Sequence, residues 1–349
     1  MPRTPIALPS AVLIALLAAA PALAHMGPSP ASPPPEPPKV QIRVQQVGEG
    51  AYCLYGRGGN IGVVVTPSAT FMVDTQFESL APAIQEEVRK LGPASIRYIV
   101  DTHYHPDHVG GNRFFSKGAE IIGHENVRTR LYEGPRWIAA TYPGRIKEIE
   151  SLLGSGKPIG PEYKTVLDGK LRLYRSSLED ARGFKPEEVV APGVTYDGML
   201  RLWLGDEEIQ VYHVAPGHTD GDSIVYFPKR KVVHMGDLLV TGSYPFVDVD
   251  GGGATEGWLK NLDEVLSKIP PDTRVIPGHG ESGGGAELKR LRAYLTDLRA
   301  AVVAAVKAGK SIEEAVRDIR LEAYADLKPG FMSLPQNVDQ VWGEMGGRR

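Results

Sequence analysis

Residues 101–112 read DTHYHPDHVGGN, and six consecutive positions within them carry four metal-ligand side chains: His103, His105, Asp107 and His108. Imidazole nitrogen with carboxylate oxygen suits Zn²⁺, and Fe or Mn could occupy the same shell. His103 and His105 are two apart, and on extended chain such side chains point the same way, so both can reach one ion. Pro106 suits the first turn of a helix, so the backbone changes course there and Asp107 and His108 fan out toward a second point. Gly110 and Gly111 let the backbone pass close by. Asp101, two positions before His103, is expected to orient a ligand imidazole through its free N–H. A solvated polar loop is the plain alternative. It fits poorly, because the stretch follows the mostly apolar run IRYIV, and clustered imidazoles at a sheet end would be left unpaired without an ion.

Three later stretches add donors of the same kind. APGHTDGDS holds His218 in a Gly-flanked turn, HMGDLL holds Asp237, and VIPGHGE holds His279 between glycines. Each stands where an apolar strand runs out, which is where α/β proteins place their sites. The remaining histidines read differently. His124 is expected to cap a helix or lie at the surface, and His213 and His234 to be packed in the core or to support ligands. Asp222 is expected to hold the His218 turn in shape. Cys53, the single cysteine, reads as a small buried apolar residue, since its neighbours supply no electropositive setting for a reactive thiol.

The elements that must position these residues are legible in outline. From residue 40, short strands follow one another: VQIRVQQV, AYCLYG, IGVVVT and TFMVDT. SLAPAIQEEVRKLG is an amphipathic helix stopped by Gly92 and Pro93. IRYIV is a buried strand leading into the ligand cluster, and AEIIGH is another. Residues 124–190 then read as three short helices with Gly/Pro breaks, a helical insertion or lid expected to cover the metal face, with Trp137 and Tyr142 as aromatic candidates for substrate contact or plain packing. Strands resume in MLRLWL, EIQVYHV, DSIVYFP and KVVHMGDLLV. A helix over TEGWLKNLDEVLSKIP, a strand end at TRVIPGHG and a long helix from Ala286 follow. Each half thus supplies strands and then helices, which predicts an α/β fold of two sheets packed face to face with helices outside, in one domain over 40–349 with a helical tail from about 283.

The chain of 349 residues is 42% hydrophobic with a formal net charge of −3, a globular composition without any Lys/Arg block that would argue for nucleic acid. Residues 1–24 read as a secretory signal peptide: a positive start at Arg3, an apolar run, and Ala22-Leu23-Ala24 as an A-x-A cleavage pattern. Residues 25–39, HMGPSPASPPPEPPK, read as a disordered linker. These features predict a periplasmic or secreted protein with no membrane attachment after cleavage.

HYHPDH fits the H-x-H-x-D-H motif of the metallo-β-lactamase superfamily. GHTDGD, GDLL and PGHG resemble its later motifs in the right order, and VDT with Asp74 resembles its first. The resemblance spans roughly residues 40–281 and implies a four-layer αββα sandwich. It implies that His103, His105 and His218 bind a first zinc, that Asp107, His108 and His279 bind a second, and that Asp237 bridges them. This set looks most like glyoxalase II and other hydrolytic members. The implied activity is a dinuclear hydrolase whose metal-bridging hydroxide, oriented by Asp107, cleaves a lactone, ester, thioester or lactam of some small molecule. The alternatives are a mono-iron oxidoreductase resembling persulfide dioxygenases, a true β-lactamase, or a metal-binding module without catalysis. The best-known lactamase subclass carries Cys where this chain has Asp237 and, three residues on, a Lys where this chain has Val240.

Overall fold

The computed structural model describes residues 40–345. The signal-peptide and linker readings fall outside them. Seven strands form one sheet in sequence order: β1 (Arg43–Gly48), β2 (Ala51–Tyr55), β3 (Ile61–Val65), β4 (Thr70–Val73), β5 (Ile96–Asp101), β6 (Glu120–His124) and β7 (Val194–Tyr196). β1 to β4 pair antiparallel and β4 to β7 pair parallel. A second sheet has the order β12-β11-β10-β9-β8, from β8 (Met199–Leu204), β9 (Glu207–Tyr212), β10 (Ile224–Phe227), β11 (Val232–His234) and β12 (Arg274–Ile276). Its one parallel pair is β11 with β12.

The two sheets close on each other over a buried apolar layer in which Cys53, Phe71 and Val100 of the first meet Val211, Phe227 and Ile276 of the second. The outer face of the first sheet is covered by α1 (Ala81–Leu91), which buries Ile84 and Val88 against Ile99 and Met72. Two short helices, α2 (Pro106–Val109) and α3 (Asn112–Phe115), follow β5. The insertion follows β6 as α4 (Glu125–Leu153) and α5 (Pro161–Arg182). Beyond it, α6 (Thr255–Lys268), α7 (Gly285–Lys307), α8 (Ile312–Asp318) and α9 (Leu334–Glu344) pack on the second sheet around Trp258, Leu295, Val316 and Trp342. This is the αββα sandwich that the strand and helix pattern predicts. It explains why β3 and β4 read as near-continuous apolar runs: both of their faces are covered.

The insertion corrects one expectation. Two long helices replace three short ones, because α4 runs through Pro135 and Pro143. Each proline removes one backbone hydrogen bond. The helix persists because Tyr142 and Ile149 bury against Leu167, Leu171 and Tyr174 of α5.

Candidate metal centre

The donor residues stand at the carboxyl ends of strands, the end where open α/β sheets hold ligands. His103 and His105 follow β5, and Asp107 and His108 lie in the single turn of α2, opened by Pro106. His218 sits in the β9–β10 connection, Asp237 just after β11, and His279 just after β12. Glycines permit the close approach. A Cβ on Gly59 would stand 2.1 Å from the His108 ring, and one on Gly278 would stand 1.9 Å from Asp237 Oδ1.

The seven residues gather as two adjoining groups. Donor atoms of His103, His105, His218 and Asp237 lie within 4.8 Å of one another, and so do those of Asp107, His108 and His279. In the first group His103 Nε2 and His218 Nε2 stand 3.1 and 3.0 Å from His105 Nδ1. In the second, His279 Nε2 stands 3.2 Å from Asp107 Oδ2 and 3.4 Å from His108 Nε2. Asp237 lies between them. Its Oδ1 is 3.2 Å from His108 Nε2 and 3.4 Å from His279 Nε2, while its Oδ2 is 3.6 Å from His218 Nε2.

In four of the five histidines the nitrogen facing away from the centre has a partner of its own, which fixes the ring. His105 Nε2 meets Asp248 Oδ2 at 3.0 Å, His108 Nδ1 meets Asp74 Oδ2 at 2.7 Å, His218 Nδ1 meets the Phe246 carbonyl at 2.7 Å, and His103 Nδ1 meets Thr102 Oγ1 at 3.1 Å. Asp74 is itself held by the backbone N–H and hydroxyl of Thr102.

Charge divides the centre in the metal-free protein. Burial and neighbouring imidazoles push His103 well below its ordinary value, and burial takes His218 down to about 4, so both are neutral donors. The Asp237 carboxylate lifts His279 to about 10. Burial pulls His108 down, but Asp237, Asp74 and Asp107 outweigh it and raise it well above the ordinary value. Burial likewise opposes ionisation of Asp237 and Asp107, yet the facing imidazoles prevail, holding Asp237 well below the carboxylate range and Asp107 at about 2.

The remaining candidates take other places in the structure. His124 caps α4 and accepts from the Asn126 N–H. His213 is bonded to the Asp222 carbonyl and His234 to the Asn60 carbonyl, and neither joins the donor groups. Asp222 takes the N–H and hydroxyl of Thr219 and so shapes the His218 turn. Asp101 orients no ligand: its carboxylate accepts from Asn112 Nδ2 instead. Asp74 and Asp248 take that role. Asp248 escaped the sequence reading altogether, since the one signal for it is an acidic pair ahead of the glycines in VDVDGGG. Tyr142 is buried against Tyr174 and bonded to Asp250, and it also lines a cavity beside the centre, while Trp137 is partly exposed next to it.

The donor set fits a pair of divalent cations. Asp237 Oδ1 is buried and has no hydrogen-bond partner among the described residues, although two imidazole nitrogens face it. A buried carboxylate oxygen without a hydrogen-bond partner, among imidazoles that can give up their protons, is the environment that a bound cation satisfies.

Residues 54–279 match the family model of the metallo-beta-lactamase superfamily. The chain is 23% identical over 304 residues to a linear primary-alkylsulfatase of Pseudomonas, covering 80% of this chain and 54% of that one. It is 26% identical over 235 residues to the probable hydroxyacylglutathione hydrolase of Schizosaccharomyces pombe, covering 64% and 65%. The solved structure of a sec-alkylsulfatase from Pseudomonas superposes with a TM-score of 0.62 or 0.61 in two forms, at 17–18% identity, over 88% of this chain and 51% of that one. The chain therefore spans about half the length of these alkylsulfatases. The matched motif region, the two-sheet sandwich and the donor geometry agree: this chain belongs to the metallo-beta-lactamase superfamily.

Proposed function

We propose that the protein is an exported dinuclear zinc hydrolase that adds water across the bond between a carbonyl carbon and its leaving heteroatom in a lactone, ester, thioester or lactam. The observation that carries this reading is the Asp237 carboxylate, with one oxygen toward each donor group. Two cations held by these residues would lower the pKa of bound water and polarise the substrate carbonyl. The residues do the rest. Asp248 and Asp74 keep the His105 and His108 rings aimed inward. Asp107, ionised and partly exposed at the mouth, accepts a hydrogen bond from the attacking water and passes its proton to the leaving group. The complete second trio supports two ions over the single iron of the oxidoreductase alternative. A second reading, hydrolysis of a sulfate ester, is supported by the breadth of the alkylsulfatase match, 80% of the chain.

Metal-loaded protein assayed on lactones, thioesters, carboxylic esters, β-lactams, phosphodiesters and alkyl sulfates tests this. Turnover of a carbonyl class, abolished by a chelator and restored by zinc, is expected. Turnover of none, or turnover indifferent to chelation, sinks the hydrolase reading, and turnover of alkyl sulfates alone selects the second one. Export is tested by the mass of the mature chain, expected to start near His25; an intact Met1 on exported protein would refute it.

A further inference from the structure

A cavity of about 470 Å³ lies beside the centre, walled by Tyr142 of α4, by α5, residues 246–250, the 330–332 segment and α9. None of the seven donors lines it, but Phe246 does. The Phe246 ring stacks on His105 at 5.9 Å and meets His218 edge-on at 5.7 Å, so cavity and centre share one aromatic wall. Phe331, 67% exposed, extends that wall edge-to-face at 5.3 Å. Val166, Leu173 and Met332 add apolar surface. The charged groups along the cavity are largely spoken for: Lys170 pairs with Asp339, Asp250 with Arg145, and Asp248 with His105 and Tyr104. Arg172 stands on the exposed face of α5. The size suits a small-molecule site, and what it offers a ligand is chiefly apolar contact.

We infer that this cavity binds a linear apolar chain carried by the substrate, with Phe246 guiding the chain so that the hydrolysable group lies over the metals. The inference rests on the hydrolase reading above and adds a substrate class to it: an amphiphile with a long aliphatic arm. The arm could be the acyl part of an ester or thioester or the alkyl part of a sulfate ester, and parallel series of acyl thioesters and alkyl sulfates tell these apart.

The first measurement is kcat/KM along each series, from butanoyl or butyl to decanoyl or decyl. Each methylene buried is expected to raise kcat/KM by up to about fourfold in the series that fits. Leu173→Trp, which fills the cavity, should flatten the series and lower the decanoyl-to-butanoyl ratio by at least about tenfold. Phe331→Ala, at an exposed position where folding is not at risk, should lower the same ratio by roughly threefold or more. Trp203→Ala, on the exposed face of β8 away from the cavity, should leave it unchanged. The second measurement needs no turnover: octanol titrated into the zinc-loaded protein by calorimetry, expected to bind with a negative heat-capacity change and to lose affinity in both cavity variants. Octanol binding without any hydrolysis would refute the hydrolase reading and keep the cavity assignment. Hydrolysis with a flat chain-length series and no octanol binding would overturn the cavity assignment and keep the hydrolase. Octanol binding unchanged in both Leu173→Trp and Phe331→Ala, each holding two metals, would overturn it as well.

Discussion

Asp237 and the five histidines of the candidate centre differ in how much proton traffic metal binding would demand of them, and that difference is open to measurement. In the metal-free protein His108 and His279 are raised, by the surrounding carboxylates, so both are protonated at neutral pH. His103 and His218 are lowered and already neutral, while His105 is raised because Asp248 outweighs its burial. A raised ligand must shed its proton to bind a cation, so affinity falls as pH falls. The Asp107–His108–His279 site should therefore release about two protons per ion and the first site about one. Zinc titrations between about pH 6 and 8 should show the second ion lost first on acidification, with the steeper slope; equal slopes would contradict this charge division. Gly59→Ala tests the same site sterically. Its Cβ would overlap the His108 ring, which Asp74 holds from the other side. The expected outcome, read by metal competition, is a roughly 10–100-fold loss at the second ion with the first retained, whereas two ions at wild-type affinity would show that His108 has room to move. The seven residues gathered at the candidate centre were legible in the sequence because ligand types crowd at strand ends. Their orienting partners were not: Asp248 meets His105 across 143 positions of chain, and no local pattern tells Asp74 from Asp101.

At the scale of elements, periodicity and Gly/Pro stops located most strands and the helices α1, α6 and α7, since a covered strand or an amphipathic helix leaves a local trace. The short β7 left none, and the prolines of α4 suggested breaks that tertiary packing overrides. What ties the insertion to the metal side is ionic. Arg145 reaches the Asp250 carboxylate and lies over the rings of Trp137, Tyr142 and Tyr174, and Arg130 grips Asp220. Asp250 is two residues from Asp248, so the same loop anchors α4 and orients His105. Arg145→Ala should cost about 1–2 kcal/mol of docking for the helix pair. Faster amide exchange confined to residues 125–182 and 246–252 is the expected signature, and unchanged protection there would show that apolar packing alone holds the insertion.

At the scale of the whole molecule, the sandwich brings the ends of β4, β5, β11 and β12 together, although up to 176 positions separate His103 from His279. No helix among the described residues is long and apolar enough to cross a membrane. The family name invites β-lactams as substrates, but Val240, where the best-known lactamase subclass places a lysine, forms a bridge to His279 and offers no charge. Losing one charge-assisted contact costs roughly 1.5–3 kcal/mol, about one to two decades of binding. Penicillin and carbapenem turnover should therefore stay below the usual enzymatic kcat/KM range of about 10⁴–10⁸ M⁻¹s⁻¹; values inside it would refute this expectation.

Anomalous diffraction from zinc-loaded crystals at the zinc edge tests most directly whether these seven residues hold two ions through one shared carboxylate. Two peaks about 3.5–4 Å apart are predicted, one amid His103, His105 and His218, the other amid Asp107, His108 and His279, with an Asp237 oxygen on each. A single peak, or two peaks with Asp237 ligating neither, would contradict it.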